Sequence, residues 1–298
     1  MKLDVRGIIP PMVTPFTHDT EEIDVKAIYE EVEYLIQAGV TGICVGGSTG
    51  EGAGLSEQEV YTLNKAVVDQ AKDRVPVIGG VIADSTAEAI RKSLAAKEAG
   101  VSSLQVTPPH YLWTPTTEGL VKHFGAIGEK AQLPILIYNV VPWVDINVHA
   151  MKQIIDHVPW MAGVKQSGGD MHKIADMLYV LKEDVTIITG IDDLLYPAFA
   201  LGVDGAITCM LAVVPELCIE LWNKVQAGDH QGALAIHNRL LPLWREIEGP
   251  NMPYLAKIAI ELMGRKVGPA RSPILGPSEE KKALIQQRLV EAGITVTV

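Results

Sequence analysis

Four side chains in this sequence could together do covalent chemistry on a carbonyl: Ser48, Thr49, Tyr138 and Lys165. The run Met161-Ala162-Gly163-Val164-Lys165 is small and apolar, like a short buried strand, and Ser167-Gly168-Gly169-Asp170 supplies a turn and the N-cap of a following helix. The ammonium therefore stands at a strand's exit. A lysine there is either a solvated or ion-paired strand end, or an amine that apolar surroundings keep neutral often enough to attack a carbonyl. Pro134 to Tyr138 is a second short apolar run, and its terminal phenol either fills space or relays a proton. Gly46-Gly47-Ser48-Thr49-Gly50-Glu51 is either an ordinary glycine-rich turn or a nest in which two hydroxyls and free N–H groups hold an anion. Neither GxGxxG nor GxxxxGK[ST] occurs, so a nucleotide phosphate is not the expected guest. A carboxylate nest, a phenol and a lysine at neighbouring strand ends are what Schiff-base chemistry on a 2-oxo acid requires.

Such neighbouring strand ends need a repeating frame, and the chain has one. Gln37-Ala38-Gly39-Val40, Glu98-Ala99-Gly100-Val101 and Ala200-Leu201-Gly202-Val203 repeat one junction, a helix closed by a left-handed glycine before a strand. Strands are expected over 7–13, 43–45, 76–81, 104–107, 134–138, 162–165, 185–189 and 206–208. Between them, Val25, Ile28, Tyr29, Val32, Leu35 and Ile36 mark a buried helix face. Ser56 with Glu59 forms a capping box opening a helix to about Lys72, another helix runs from Thr86 to Ala99, and Thr116-Thr117-Glu118 starts a third. Eight strands alternating with helices predict an α/β fold, a (β/α)8 TIM barrel. Residues 1–228 are assigned to that barrel and its active site, and 229–298 to a C-terminal helical extension packed on it or on a partner subunit. The extension's apolar positions are Leu234, Leu240, Leu241, Leu243, Leu255, Ile258, Leu262, Leu284 and Leu289.

Composition narrows the partners. The formal net charge of −11 argues against nucleic acid and anionic membranes, and no apolar run reaches the roughly 18 residues of a membrane span. The opening residues Met1 to Arg6 run into strand-like sequence without a signal-peptide pattern, so a cytoplasmic location is expected. Cys44, Cys209 and Cys218 lie in apolar contexts without CxxC spacing and read as buried thiols. The eight histidines show no metal-ligand spacing.

The motifs also carry a resemblance. Pro10-Pro11-Met12-Val13-Thr14-Pro15-Phe16, the Gly46–Glu51 loop, Val106-Thr107-Pro108, Tyr138-Asn139-Val140, Gly163-Val164-Lys165, Gly205-Ala206-Ile207-Thr208 and Gly268-Pro269-Ala270-Arg271-Ser272-Pro273-Ile274 follow one another in order along nearly the whole chain. In that order and approximate spacing they resemble the dihydrodipicolinate synthase / N-acetylneuraminate lyase family. The resemblance implies a homotetramer built as a dimer of dimers and a class I mechanism. By it, Lys165 forms an imine with the keto carbon of pyruvate or a related 2-oxo acid, and Tyr138 shuttles the proton. Ser48 and Thr49 hold the substrate carboxylate, and the main chain at Ile207 lines the pocket. No metal or organic cofactor is implied, because the protonated imine is itself the electron sink.

Two departures bear on the substrate. Lysine-pathway synthases of the family place an arginine shortly after Tyr-Asn-Val-Pro; here the run is Tyr138-Asn139-Val140-Val141-Pro142-Trp143, and no arginine lies between Arg91 and Arg239. Family synthases also carry Pro-Tyr-Tyr after the fourth strand, the second tyrosine completing a relay in the neighbouring subunit. This chain reads Pro108-Pro109-His110-Tyr111, which leaves His110 or Tyr111 for that place. The expected activity is thus a Schiff-base lyase: release of pyruvate from a 2-keto-3-deoxy sugar acid, or dehydration or deamination of a substrate such as a hydroxypyrroline carboxylate. The 4-hydroxy-tetrahydrodipicolinate synthase reaction and a non-catalytic 2-oxo acid binding barrel stand as alternatives.

Overall fold

In the computed structural model the described residues are 2–3 and 5–297; of the strand-like opening run, Met1 and Asp4 lie outside them, as does Val298. Eight parallel strands alternate with helices: β1 (Gly7–Ile8), α1 (Val25–Ala38), β2 (Ile43–Val45), α2 (Glu57–Ala71), β3 (Val77–Val81), α3 (Thr86–Ala99), β4 (Ser103–Val106) and α4 (Thr117–Ala131). The second half continues with β5 (Ile135–Asn139), α5 (Val148–His157), β6 (Met161–Gln166), α6 (Met171–Leu181), β7 (Thr186–Thr189), α7 (Leu195–Leu201) and β8 (Gly205–Ala206). Two helices then follow β8, α8 (Cys209–Val213) and α9 (Pro215–Gln226), before α10 (His230–Ile247), α11 (Met252–Leu262) and α12 (Glu279–Glu291).

The strands pair in the order β1-β8-β7-β6-β5-β4-β3-β2. A single bridge, Pro11 to Cys44, joins the chain after β1 to β2, with the Cys44 N–H donating to the Pro10 carbonyl at 2.9 Å. The first strand is shorter than its sequence pattern because Pro10 and Pro11 have no N–H to give a ladder. The helix junctions follow from the sequence: Gly39, Gly100 and Gly202 cap their helices at φ 94°, 95° and 94°. Ser56 and Glu59 form the reciprocal capping box.

The core has two layers. Inside the barrel Ile9, Cys44, Ile78, Leu136, Ile188 and Ile207 pack on one another, while a larger apolar layer lies between strands and helices and continues unbroken into α10, α11 and α12. Two positions depart from simple periodicity. Tyr29 is 39% exposed, because α1 turns Ala27 and Glu31 inward, and Glu31 ion-pairs with Arg265 from beyond α11. Leu234 also lies on the outer face of α10, 45% exposed. Cys44, Cys209 and Cys218 are buried free thiols, and no described helix is long and apolar enough to cross a membrane.

Candidate active site

The ladder between β5 and β6 sets the central pair. Tyr138 is registered with Lys165, and Lys165 in turn with Ile188 of β7. Both polar side chains are almost wholly buried, 3% and 4% exposed, and the Lys165 Nζ lies 4.0 Å from the centroid of the Tyr138 ring. The phenol oxygen stands 3.0 Å from Ser48 Oγ, 90 residues earlier in the chain. The lysine, the phenol and one nest hydroxyl therefore meet at one point.

Close backbone approach makes that meeting feasible. A β-carbon on Gly80 would come within 2.5 Å of the Gly46 carbonyl oxygen, so the glycine in β3 is what lets the nest loop cross the barrel mouth. A β-carbon on Gly190 would fall 2.8 Å from Lys165 Cε and 2.2 Å from Ser167 Oγ, so the chain leaving β7 lies directly against the lysine's stem. The nest loop is braced from below by Thr14, whose hydroxyl donates to the Gly50 carbonyl at 2.6 Å. Glu51 takes a left-handed conformation, φ 57°, to turn the loop back.

The remaining expected residues are placed as follows. Thr49, next to Ser48 in the nest loop, is buried with its hydroxyl at the Cys209 thiol. Ile207 is fully buried in the barrel interior, and its N–H donates to the Thr189 carbonyl at 2.9 Å. His110 lines the same cavity as Ser48, with its Nδ1 3.2 Å from Asp84. Tyr111 is 61% exposed and lies edge-on to Trp113. Trp143 is also largely exposed, and its indole N–H donates to the His110 carbonyl at 2.8 Å.

Several groups of this site escaped the sequence. Asp192, on the turn after Gly190, has its carboxyl raised to about 6 by burial, against the pull of the Met210 N–H at 2.7 Å and of the Lys165 charge. Burial likewise pushes the Cys44 thiol up to about 11 despite the nearby Lys165 charge. Lys257 of α11 is fully buried; it meets Glu51 Oε1 and the Pro269 carbonyl, each at 2.7 Å, while Glu51 Oε2 accepts the Arg271 N–H at 2.8 Å. The tail is thereby fastened to the nest loop. The Gly268–Ile274 run was visible as a motif, but nothing in its spacing points to the barrel mouth. No cluster of ligating side chains that could hold a metal occurs among the described residues.

What this arrangement can do is attack a keto carbon with the lysine and move a proton through the phenol and the serine hydroxyl. A parallel barrel with a buried lysine and phenol paired at its strand ends fits a class I aldolase-type enzyme. The chain belongs to the dihydrodipicolinate synthetase family, whose model matches residues 4–292. It is 32% identical over 296 residues to the 4-hydroxy-tetrahydrodipicolinate synthase of Methanopyrus kandleri, covering 99% of this chain and 98% of that one. The synthase of Symbiobacterium thermophilum is 35% identical over 289 residues, covering 96% and 98%. Among solved structures, the chloride-inhibited dihydrodipicolinate synthase of Acinetobacter baumannii complexed with pyruvate superposes with a TM-score of 0.91 at 30% identity, covering 98% of this chain and all of the other. A prophage protein of the same family from E. coli K12, in complex with pyruvate, gives 0.92 at 27% identity, covering 98% and 100%.

Proposed function

We propose that this chain binds a pyruvate-type 2-oxo acid, forms an imine between its keto carbon and Lys165, and uses the derived enamine in carbon–carbon bond chemistry. The observation that carries this reading is the convergence of three buried or half-buried groups, with the Lys165 Nζ 4.0 Å from the Tyr138 ring and the phenol 3.0 Å from Ser48. In the proposal Lys165 is the nucleophile, Tyr138 moves protons to and from the keto oxygen and imine nitrogen, and Ser48 and Thr49 hold the carboxylate. The main chain at Ile207 lines the pocket.

The relatives' names favour condensation of pyruvate with an aldehyde, the class of reaction to which 4-hydroxy-tetrahydrodipicolinate synthase belongs, over the pyruvate-releasing, dehydrating and deaminating reactions that the sequence alone puts first. A cytoplasmic homotetramer is part of the proposal, its assembly tested by light scattering. Either His110, which lines the cavity, or Tyr111, which is 61% exposed, is the candidate to complete the relay with a neighbouring copy.

Borohydride reduction in the presence of pyruvate tests the reading directly. Mass spectrometry should find a covalent adduct on Lys165 that Lys165→Ala abolishes. A chain that merely binds 2-oxo acids would yield none.

A further inference from the structure

The cavity beside Ser48 has a volume of about 400 Å³, in the range of small-molecule sites. Its near end is the imine-forming cluster, since Ser48 touches Tyr138. Most of the rest is apolar: Ile82, Val140, Val141, Pro253, Pro273 and Ile274. Three of these come from the C-terminal segment, so the tail builds the far wall.

Ionisable groups also reach this wall, and each already has a protein partner. Glu51 is 2.7 Å from the buried Lys257 ammonium. Arg271 donates to Glu59 at 2.6 Å, and its guanidinium lies 4.3 Å over the Phe16 ring. His110 lies 3.2 Å from Asp84. A substrate carboxylate placed at this end would have to displace one of those pairs or exchange its hydration for the neutral hydroxyl of Thr107 and aliphatic carbon, and both are unfavourable. No arginine between Arg91 and Arg239 is available to receive it.

We propose that the second substrate is an uncharged, mainly apolar aldehyde, selected by the wall that Val140 and Val141 share with Pro253, Pro273 and Ile274. This rests on the imine reading above and names the partner for it. Pyruvate and the Lys165 amine join with loss of water, and loss of a C3 proton gives the enamine. The C3 electron pair then bonds to the aldehyde carbon while the aldehyde oxygen takes up a proton. Water finally cleaves the imine, releasing the aldol and the free amine, with no net oxidation or reduction.

The test supplies the full chain with pyruvate and one of three probes: isovaleraldehyde, neutral and apolar; succinic semialdehyde, which carries a carboxylate; or glyceraldehyde, neutral and polar. Aldol formation is followed by mass spectrometry and kcat/KM. Isovaleraldehyde should exceed both others by about tenfold or more, the scale on which an apolar pocket discriminates. Ile274→Lys, or Val141→Lys should the first fail to fold, should move the ratio toward succinic semialdehyde by about tenfold. Equal or better use of succinic semialdehyde or glyceraldehyde by the unmodified chain overturns the proposal. So does an absence of product from every probe although pyruvate is trapped, and so does a ratio that ignores the substitution. Loss of trapping in the unmodified chain instead overturns the imine reading itself, so the two failures are distinct.

Discussion

Tyr138 and Lys165 face each other across one rung of the β5–β6 ladder, and the aromatic face of the tyrosine holds the lysine nitrogen 4.0 Å from its centroid. The ring and the hydroxyl thus have separable roles: the ring fixes where the amine sits, and the hydroxyl, 3.0 Å from Ser48, faces the nest. Tyr138→Phe should keep the geometry and lose the proton path. The expected result is a fall in kcat of about 100-fold or more, the usual weight of a positioned acid–base group, with the borohydride adduct still detectable after long incubation. Rapid-quench kinetics on the Phe variant checks this; an unchanged kcat would remove the phenol from the mechanism.

Gly190→Ala acts through space alone. Its β-carbon would press on Lys165 Cε at 2.8 Å and on Ser167 Oγ at 2.2 Å. Overpacking of this kind costs about 1–3 kcal/mol, and here the strain falls on the stem of Lys165. Urea denaturation should register the loss of stability, and trapping with pyruvate should slow by about tenfold, which is about 1.4 kcal/mol in the barrier.

Lys257 and Glu51 make a buried ion pair between the tail and the nest loop, 2.7 Å apart and nearly inaccessible. Lys257→Met leaves the carboxylate without its partner, a loss of about 3–5 kcal/mol in comparable pairs. Lys257→Met combined with Glu51→Gln should recover a large part of that stability, because the charge is removed along with its mate while the Arg271 N–H keeps an acceptor. Thermal unfolding of the two single variants and the double variant gives the coupling. Pyruvate KM should rise in Lys257→Met more than kcat falls, because the loop it anchors carries Ser48 and Thr49.

His123 of α4 gives the pH dependence. Burial lowers its imidazole to about 4 from 6.5, and Nδ1 is 3.0 Å from the Thr86 hydroxyl. The folded chain keeps this ring neutral while the unfolded chain protonates it, so stability is lost as pH falls from about 6.5 to about 4 and is fully present above that window. The loss should reach about 3 kcal/mol at its lower end, from the 1.4 kcal/mol that each pH unit of difference represents. His123→Gln should flatten that part of the stability profile measured by urea titration between pH 4 and 7.5. A variant whose profile keeps the full slope would place the acid sensitivity elsewhere.

The local elements were legible because local rules govern them. Glycine closes α1, α3 and α7 through its left-handed conformation, Ser56 with Glu59 opens α2, and alternating strand and helix patterns fix the barrel. The Lys165 and Tyr138 strand ends follow from the same patterns, since a barrel must carry its strand termini to one rim. What the sequence could not give is the set of contacts between residues far apart in the chain. Ser48 meets Tyr138 across 90 positions, and Arg271 donates its N–H to Glu51 across 220. Such pairings depend on how strands tilt and how a tail folds back, which periodicity does not encode. The lysine's identity as a candidate nucleophile was therefore written in the chain. The walls of its cavity, the tail that builds one of them and the pairing of every charge along it were decided only when distant segments packed together.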